Sequence, residues 1–174
     1  HALLLKLGYW DRNINPYPVR LELQLDAPKV ELPALPDEQR VDLTHLEAYA
    51  IDDRGNQDPD DALSVEGERL WVHVADVAAL VLPDSPADLE ARNRGATLYM
   101  PEGNVPMLPR TAVEGLGLGM KEVSPALSFS LVLSPTGEIE ELDIMPSWVR
   151  VQRVTYEQVQ ERMDEEPFST LSMW

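Results

Sequence analysis

The chain has 174 residues, a net charge of −17 from 31 acidic against 14 basic side chains, and an apolar fraction of 44%. This is enough apolar material for one domain or one and a part, and no apolar run approaches the ~20 residues of a membrane-spanning helix. The lack of Cys excludes disulfides and thiolate metal sites and fits a reducing, cytoplasmic compartment, while the acidic balance argues against a broad nucleic-acid face, which is normally basic.

Ala2 to Leu7 is nearly all Leu, with Lys6 near its end and Gly8 just after, which predicts the last turns of a helix stopped by glycine. The basic start and small-residue cleavage site of a secretory signal are missing, and an opening His in place of Met has the look of a fragment. Residues 9–40 read as irregular, broken by Pro16, Pro18, Pro28, Pro33 and Pro36. Within them Val19 to Leu25 fits a strand or a short helix. The stretch from Pro28 to Val41 reads as a linker into the domain proper.

From Leu43 the pattern changes to strands. One is expected over 46–51 and another over 62–66, followed by a turn at Glu66-Gly67-Glu68 and a strand over 70–77, the last two forming a hairpin. His73 sits in an apolar run and reads as a satisfied core residue rather than a ligand; Asp76 in the same run needs a partner and reads as structural. Ser85-Pro86-Ala87-Asp88 starts a helix with Ser as N-cap and Pro at its first position, and Gly95 stops it. Leu98-Tyr99-Met100 is extended, and Pro101, Pro106 and Pro109 bracket a stiff loop. Gly115, Gly117 and Gly119 do not have the spacing of a phosphate-cradling loop, and no nucleotide site is assigned there. Strands over 126–133 and 138–145 flank the turn Ser134-Pro135-Thr136-Gly137, and Trp148 to Val154 reads as extended. Thr155 and Gln158 form a capping box for a helix with Tyr156, Val159 and Met163 on one face, ended by Pro167. The fold class is α+β: a mostly antiparallel sheet with a few short helices.

The chemistry concentrates between the first two strands, in Ile51-Asp52-Asp53-Arg54-Gly55-Asn56-Gln57-Asp58-Pro59-Asp60-Asp61. Five carboxylates fall within eleven residues, with Arg54 alone to offset them. Such crowding raises each carboxyl's pKa unless the side chains splay into water or gather round a hard cation. Asp53 to Asn56 alone is ordinary turn chemistry. A loop of oxygens slung between core strands is also the ligand type that Mg²⁺ prefers. The alternating acids and closing Glu of a calcium hand are missing, so that site is rejected.

Residues 42–160 resemble the catalytic domain of the ribonuclease II (RNB) exoribonucleases. The resemblance is carried in order by Asp42-Leu43-Thr44-His45-Leu46, Ile51-Asp52, Asp58-Pro59-Asp60-Asp61-Ala62 and Val72-His73-Val74-Ala75-Asp76-Val77. It continues through Glu90 to Gly95, Tyr99-Met100-Pro101, Val105-Pro106-Met107-Leu108-Pro109, Ala126-Leu127-Ser128-Phe129-Ser130 and Val154-Thr155-Tyr156. It implies 3′→5′ hydrolysis of single-stranded RNA to nucleoside 5′-monophosphates, with Mg²⁺ (or Mn²⁺) held by Asp52, Asp58, Asp60 and Asp61. Tyr99 matches the aromatic that stacks on the terminal nucleotide, against a plain reading as a core Tyr at a strand end. Tyr156 matches a tyrosine near the RNA sugar. A non-catalytic RNA-binding or scaffold module with the same fold is the alternative.

On the same resemblance, residues 1–40 are the end of an upstream region and a linker, and 41–174 the first part of the RNB catalytic domain. The rest of that domain, with a catalytic arginine, is expected beyond Trp174, and OB-fold domains elsewhere in the full protein. Those parts would supply the basic RNA path that a chain of −17 lacks. At Gly115 to Gly119 the sequence departs from the family's usual Cys-Ser-Leu element.

Overall fold

The structure is a computed structural model, and it describes residues 2–173. The leucine-rich start forms helix α1 (Ala2–Lys6), and Gly8 takes φ +68 just after it. Among the described residues the one further element before residue 40 is α2 (Tyr17–Arg20). Asn15 Oδ1 accepts from the Tyr17 amide at 3.2 Å and Pro18 stiffens the first turn, while Glu22 at φ +52 breaks the run. The open choice over 19–25 thus resolves into the end of a short helix followed by irregular chain.

The sheet begins with β1 (Val41–Asp42), β2 (Ala48–Asp52), β3 (Asp61–Glu66) and β4 (Arg69–Ala75). After helix α3 (Pro86–Arg94) comes a small hairpin, β5 (Leu98–Met100) and β6 (Gly103–Val105), then α4 (Arg110–Leu116). The chain closes with β7 (Ser124–Leu133), β8 (Ile139–Val149), β9 (Val151–Thr155), α5 (Tyr156–Glu161) and α6 (Phe168–Leu171). The seven-stranded sheet has the order β1-β8-β7-β4-β3-β2-β9. The outer pairs β1–β8 and β2–β9 are parallel and the inner pairs antiparallel, so the expected α+β, mostly antiparallel architecture is what the chain adopts. Among the described residues no helix is long and apolar enough to cross a membrane.

One face of this sheet is lined by small side chains: Ala48, Ala50, Ala62, Ser64, Ala126, Ser128, Ser130 and Ser147 are all buried. Small residues let the sheet curl tightly, and Trp71 and His73 of β4 fill the concavity with stacked rings 6.2 Å apart. His73 is fully buried, as expected for a core residue. Its Nδ1 lies 2.7 Å from Ser128 Oγ, its Nε2 2.9 Å from Ser64 Oγ, and Ser128 Oγ is 2.6 Å from Ser147 Oγ. Ser147 also reaches the Ala126 carbonyl at 3.4 Å, and with that bond made the order Ser128 to Ser147, His73 Nδ1–H to Ser128 and Ser64 to Nε2 is self-consistent. Every polar atom of this buried chain is satisfied with a neutral imidazole. Asp76 likewise finds the partner it needs, the Arg40 guanidinium at 2.7 Å.

Ser85 caps α3 as expected, accepting from the Asp88 amide, and Gly95 ends it at φ +76. The region 101–116 differs from the stiff loop read from its prolines. Gly103 at φ +138 reverses the chain into a hairpin, and Pro109, itself extended, launches α4 with Ala112 and Leu116 buried one turn apart. The capping box at Thr155 and Gln158 forms, but α5 ends at Glu161, short of Pro167. Only Val159 of the expected apolar face is buried; Tyr156 is exposed and Met163 lies past the helix end. The place left is taken by Phe168 of α6, edge-on to Tyr49 with ring centroids 4.9 Å apart.

Candidate active site

Strands β2 and β3 are registered at one position, Tyr49 opposite Leu63, so they diverge towards the acidic loop that joins them. Asp52 ends β2, half-buried, opposite Thr155 of β9. Asp61 opens β3, exposed, opposite Val74. Between them the loop is pinned at its centre: Pro59 is buried, its carbonyl accepts from the Leu118 amide at 2.9 Å, and the Asp60 carbonyl accepts from the Ala75 amide at 2.8 Å. Those backbone bonds hold residues 58–60 at the mouth of the sheet, with Asp58 half-buried and Asp60 exposed.

An open cleft of about 400 Å³ lies over the loop, lined by Asp52, Asp53, Asn56, Asp58 and Asp60, with Tyr99 and Asn104 on its far wall. Tyr99 and Asn104 face each other across the β5–β6 hairpin. Tyr99 is 68% exposed, so it is no core residue, and its hydroxyl donates to Asp58 Oδ2 at 3.2 Å. Of the residues expected to form the site, Asp52, Asp58, Asp60 and Tyr99 line this one cleft. Asp61 sits beside it in sequence and acts on Asp60 electrostatically. Tyr156 follows Thr155 at the start of α5, exposed, and is not among the residues lining the cleft.

The electrostatics follow from this crowding. Burial and then repulsion from Asp61 raise the Asp60 carboxyl above the usual carboxylate range, with Asp58 and Asp52 adding to the rise. Partial desolvation of its hydroxyl against the loop also raises the Tyr99 phenol, and the neighbouring charge of Asp58 adds to that, so the phenol stays a hydrogen-bond donor. The unrelieved negative field and the all-oxygen donor set fit a hard divalent cation in kind. As the side chains stand, no group of three or more acidic or histidine side chains among the described residues is gathered closely enough to hold one ion. Their oxygens are engaged locally instead: the Asn56 side-chain amide donates to Asp52 Oδ2, and the Asp53 amide to Asp52 Oδ1 at 2.7 Å.

Three contributors escape a reading of the sequence. Asn56 also accepts from the Asp58 amide at 3.0 Å, so one side chain links two of the aspartates. Asn104 enters through the hairpin that glycine 103 creates, and Arg153 reaches the loop from β9, donating to the Asn56 carbonyl across 97 residues of sequence. Asn56 lies within the acidic loop and could be suspected; nothing local marks Arg153.

A model of the RNB domain family matches residues 40–171. The chain is 37% identical to the chloroplastic/mitochondrial ribonuclease II of Arabidopsis thaliana over 91% of its own length and 22% of that protein. RNase R of Mycoplasma genitalium in complex with ribose-methylated single-stranded RNA superposes with a TM-score of 0.65 at 26% identity, covering 73% of this chain and 21% of that one. Yeast Ssd1, described as a pseudonuclease, superposes with a TM-score of 0.66 at 28% identity, over 82% of this chain and 19% of its own. The chain spans between 13% and 27% of the length of the curated relatives it matches.

Proposed function

The chain belongs to the RNB domain family, and on that footing we propose that the protein hydrolyses single-stranded RNA from its 3′ end to nucleoside 5′-monophosphates. Asp52, Asp58, Asp60 and Asp61 would hold Mg²⁺, with Mn²⁺ as a substitute. Paired divalent ions, when bound, activate the attacking water and neutralise charge on the leaving 3′ oxygen. The chain's own residues prepare that site. Asp58 is oriented by the Tyr99 hydroxyl, Asp52 by the Asn56 amide, and Asp60 by the backbone bond to Ala75. The exposed Tyr99 ring offers a flat face on which a terminal base stacks with little regard to sequence. Tyr156, at the exposed start of α5, would meet the sugar.

The observation that carries this reading is the single acidic field in which Asp60 feels Asp61, Asp58 and Asp52 at the mouth of a cleft walled by Tyr99. In the same proposal residues 1–40 end an upstream region and 41–174 begin the catalytic domain, in a cytoplasmic protein. The remaining half of that domain and OB-fold domains would bring the basic surface. A second reading, an RNA-binding module without catalysis, is favoured by the equal likeness to the pseudonuclease Ssd1. The test is to incubate the full-length protein with 5′-labelled and 3′-labelled single-stranded RNA and Mg²⁺ or Mn²⁺. Stepwise shortening of the 5′-labelled strand with immediate release of the 3′ label is the expected result. Binding without shortening establishes the module instead.

A further inference from the structure

The glycine-rich stretch 115–119 and Arg153 have no part in the proposed hydrolysis, yet they meet beneath the aspartate loop. Leu118 donates to Pro59, and Gly117 beside it has no room for a side chain: a Cβ there would lie 2.7 Å from the Val113 carbonyl and 2.8 Å from Met120 Cγ. Gly119 takes φ +74, and a Cβ on it would lie 2.9 Å from the Val151 carbonyl and 3.0 Å from Arg153 Cγ. The stem of Arg153 therefore lies in the space that a glycine leaves. From that seat one amino group of the guanidinium donates to the Asn56 carbonyl, and the other lies 3.5 Å from Met120 Sδ. Asn56 in turn bonds Asp52 through its side-chain nitrogen and the Asp58 amide through its side-chain oxygen.

We propose that Arg153, seated on Gly119, is a positioning residue of the aspartate loop: by fixing Asn56 it sets the spacing of Asp52 and Asp58. The inference rests on the metal reading proposed above. Two roles are open to a cation so placed, and they have opposite signs. As a bare charge beside a cation site it repels the metal, and its removal strengthens metal binding. As a clamp it holds the ligands apart at a fixed distance, and its removal weakens metal binding. Among the described residues Arg153 makes no ion pair with a carboxylate; its charge is directed at a neutral carbonyl, and this favours the clamp. Partners that orient metal ligands typically contribute ~10–100-fold in metal affinity.

The test compares the full-length native protein with Arg153→Ala, Arg153→Lys and Gly119→Ala. Mn²⁺ binding is followed by electron paramagnetic resonance of the free ion, and hydrogen exchange is followed at the Asn56 and Asp58 amides. Arg153→Ala is expected to bind Mn²⁺ ~10-fold more weakly and to exchange faster at those two amides, with amides of β3 and β4 unchanged. Gly119→Ala is expected to act in the same direction with the arginine still present, and Arg153→Lys to recover part of the loss. Equal or tighter Mn²⁺ binding by Arg153→Ala overturns the inference, as does faster exchange throughout the sheet, which marks a residue of general stability. If the native protein binds no Mn²⁺, the metal reading fails, and the exchange data still decide whether the clamp exists.

Discussion

Tyr99 donates its hydroxyl to Asp58 at 3.2 Å, from a hairpin 41 residues further along the chain, and so ties the stacking wall of the cleft to its acidic floor. The two functions of this side chain separate by substitution. Tyr99→Phe keeps the ring and loses the bond; Tyr99→Ala loses both. Base stacking on an aromatic is worth about 1–3 kcal/mol. Tyr99→Ala is therefore expected to weaken RNA affinity by that amount, and Tyr99→Phe to leave it close to native. Fluorescence anisotropy with a short labelled RNA decides; equal affinity for all three proteins places the base elsewhere.

Asp60 carries the raised carboxyl of the cluster, held up by burial and by Asp61. Asp60→Asn keeps its shape and backbone bond while removing the repulsion. Turnover is expected to fall by at least ~10²–10³, with RNA affinity kept or slightly tightened, since a negative charge near phosphate is gone. The melting temperature should not drop. An unfolded variant would make the loop structural, and an active one would take Asp60 out of catalysis.

Local signals made much of the fold legible: the period-2 runs of β3, β4 and β7, the Ser85 and Thr155 caps, and the glycine stops at Gly8 and Gly95 all appear where the sequence puts them. The site loop was readable because five carboxylates in eleven residues have few ordinary explanations. What escaped was tertiary. Helix α4 is short and carries Gly115, so propensity argues against it, and Ala112 and Leu116 hold it by burial. Tyr156 and Met163 share a helical period with Val159, but α5 stops before that period can form a face. Arg153 belongs to an exposed run of β9, and its link to Asn56 exists only because β9 pairs parallel to β2.

His73 gives the fold a pH dependence whose sign is fixed. Burial lowers its pKa from 6.5 to about 4. Above pH 6.5 the imidazole is neutral in the folded and unfolded chains alike. Below that only the unfolded chain takes up the proton, so stability falls as pH drops, by about 1.4 kcal/mol per unit, until the folded pKa is reached. Over the roughly 2.5 pH units between the two values the loss is at most about 3.5 kcal/mol. Urea unfolding at about pH 7 and about pH 5 is expected to show it in the native protein and not in His73→Gln. The same pH slope in both proteins would rule His73 out as the source.

Arg40 anchors the segment that leads into the sheet, and it does so as a buried charge. Its side chain is fully buried, bonded to Asp76 at 2.7 Å and to the Ala126 carbonyl at 3.3 Å, with its guanidinium 5.5 Å over Trp148. Its Nε has no partner, so the site is already short of one acceptor. Asp76 follows Ala75, whose amide carries the Asp60 carbonyl, which puts this pair next to the acidic loop. Asp76→Ala leaves the guanidinium with the partly exposed Glu38 as its one remaining carboxylate partner among the described residues. A broken buried pair typically costs about 3–5 kcal/mol, whereas replacing both partners by apolar groups of similar size is often neutral. Asp76→Ala is thus expected near the lower end of that range, and the double variant Arg40→Met with Asp76→Leu to lose much less. Urea unfolding of Arg40→Met, Asp76→Leu and their double variant, beside Asp76→Ala, measures the coupling. Additive losses would mean that Arg40 is held by Trp148 and the backbone, with Asp76 a bystander.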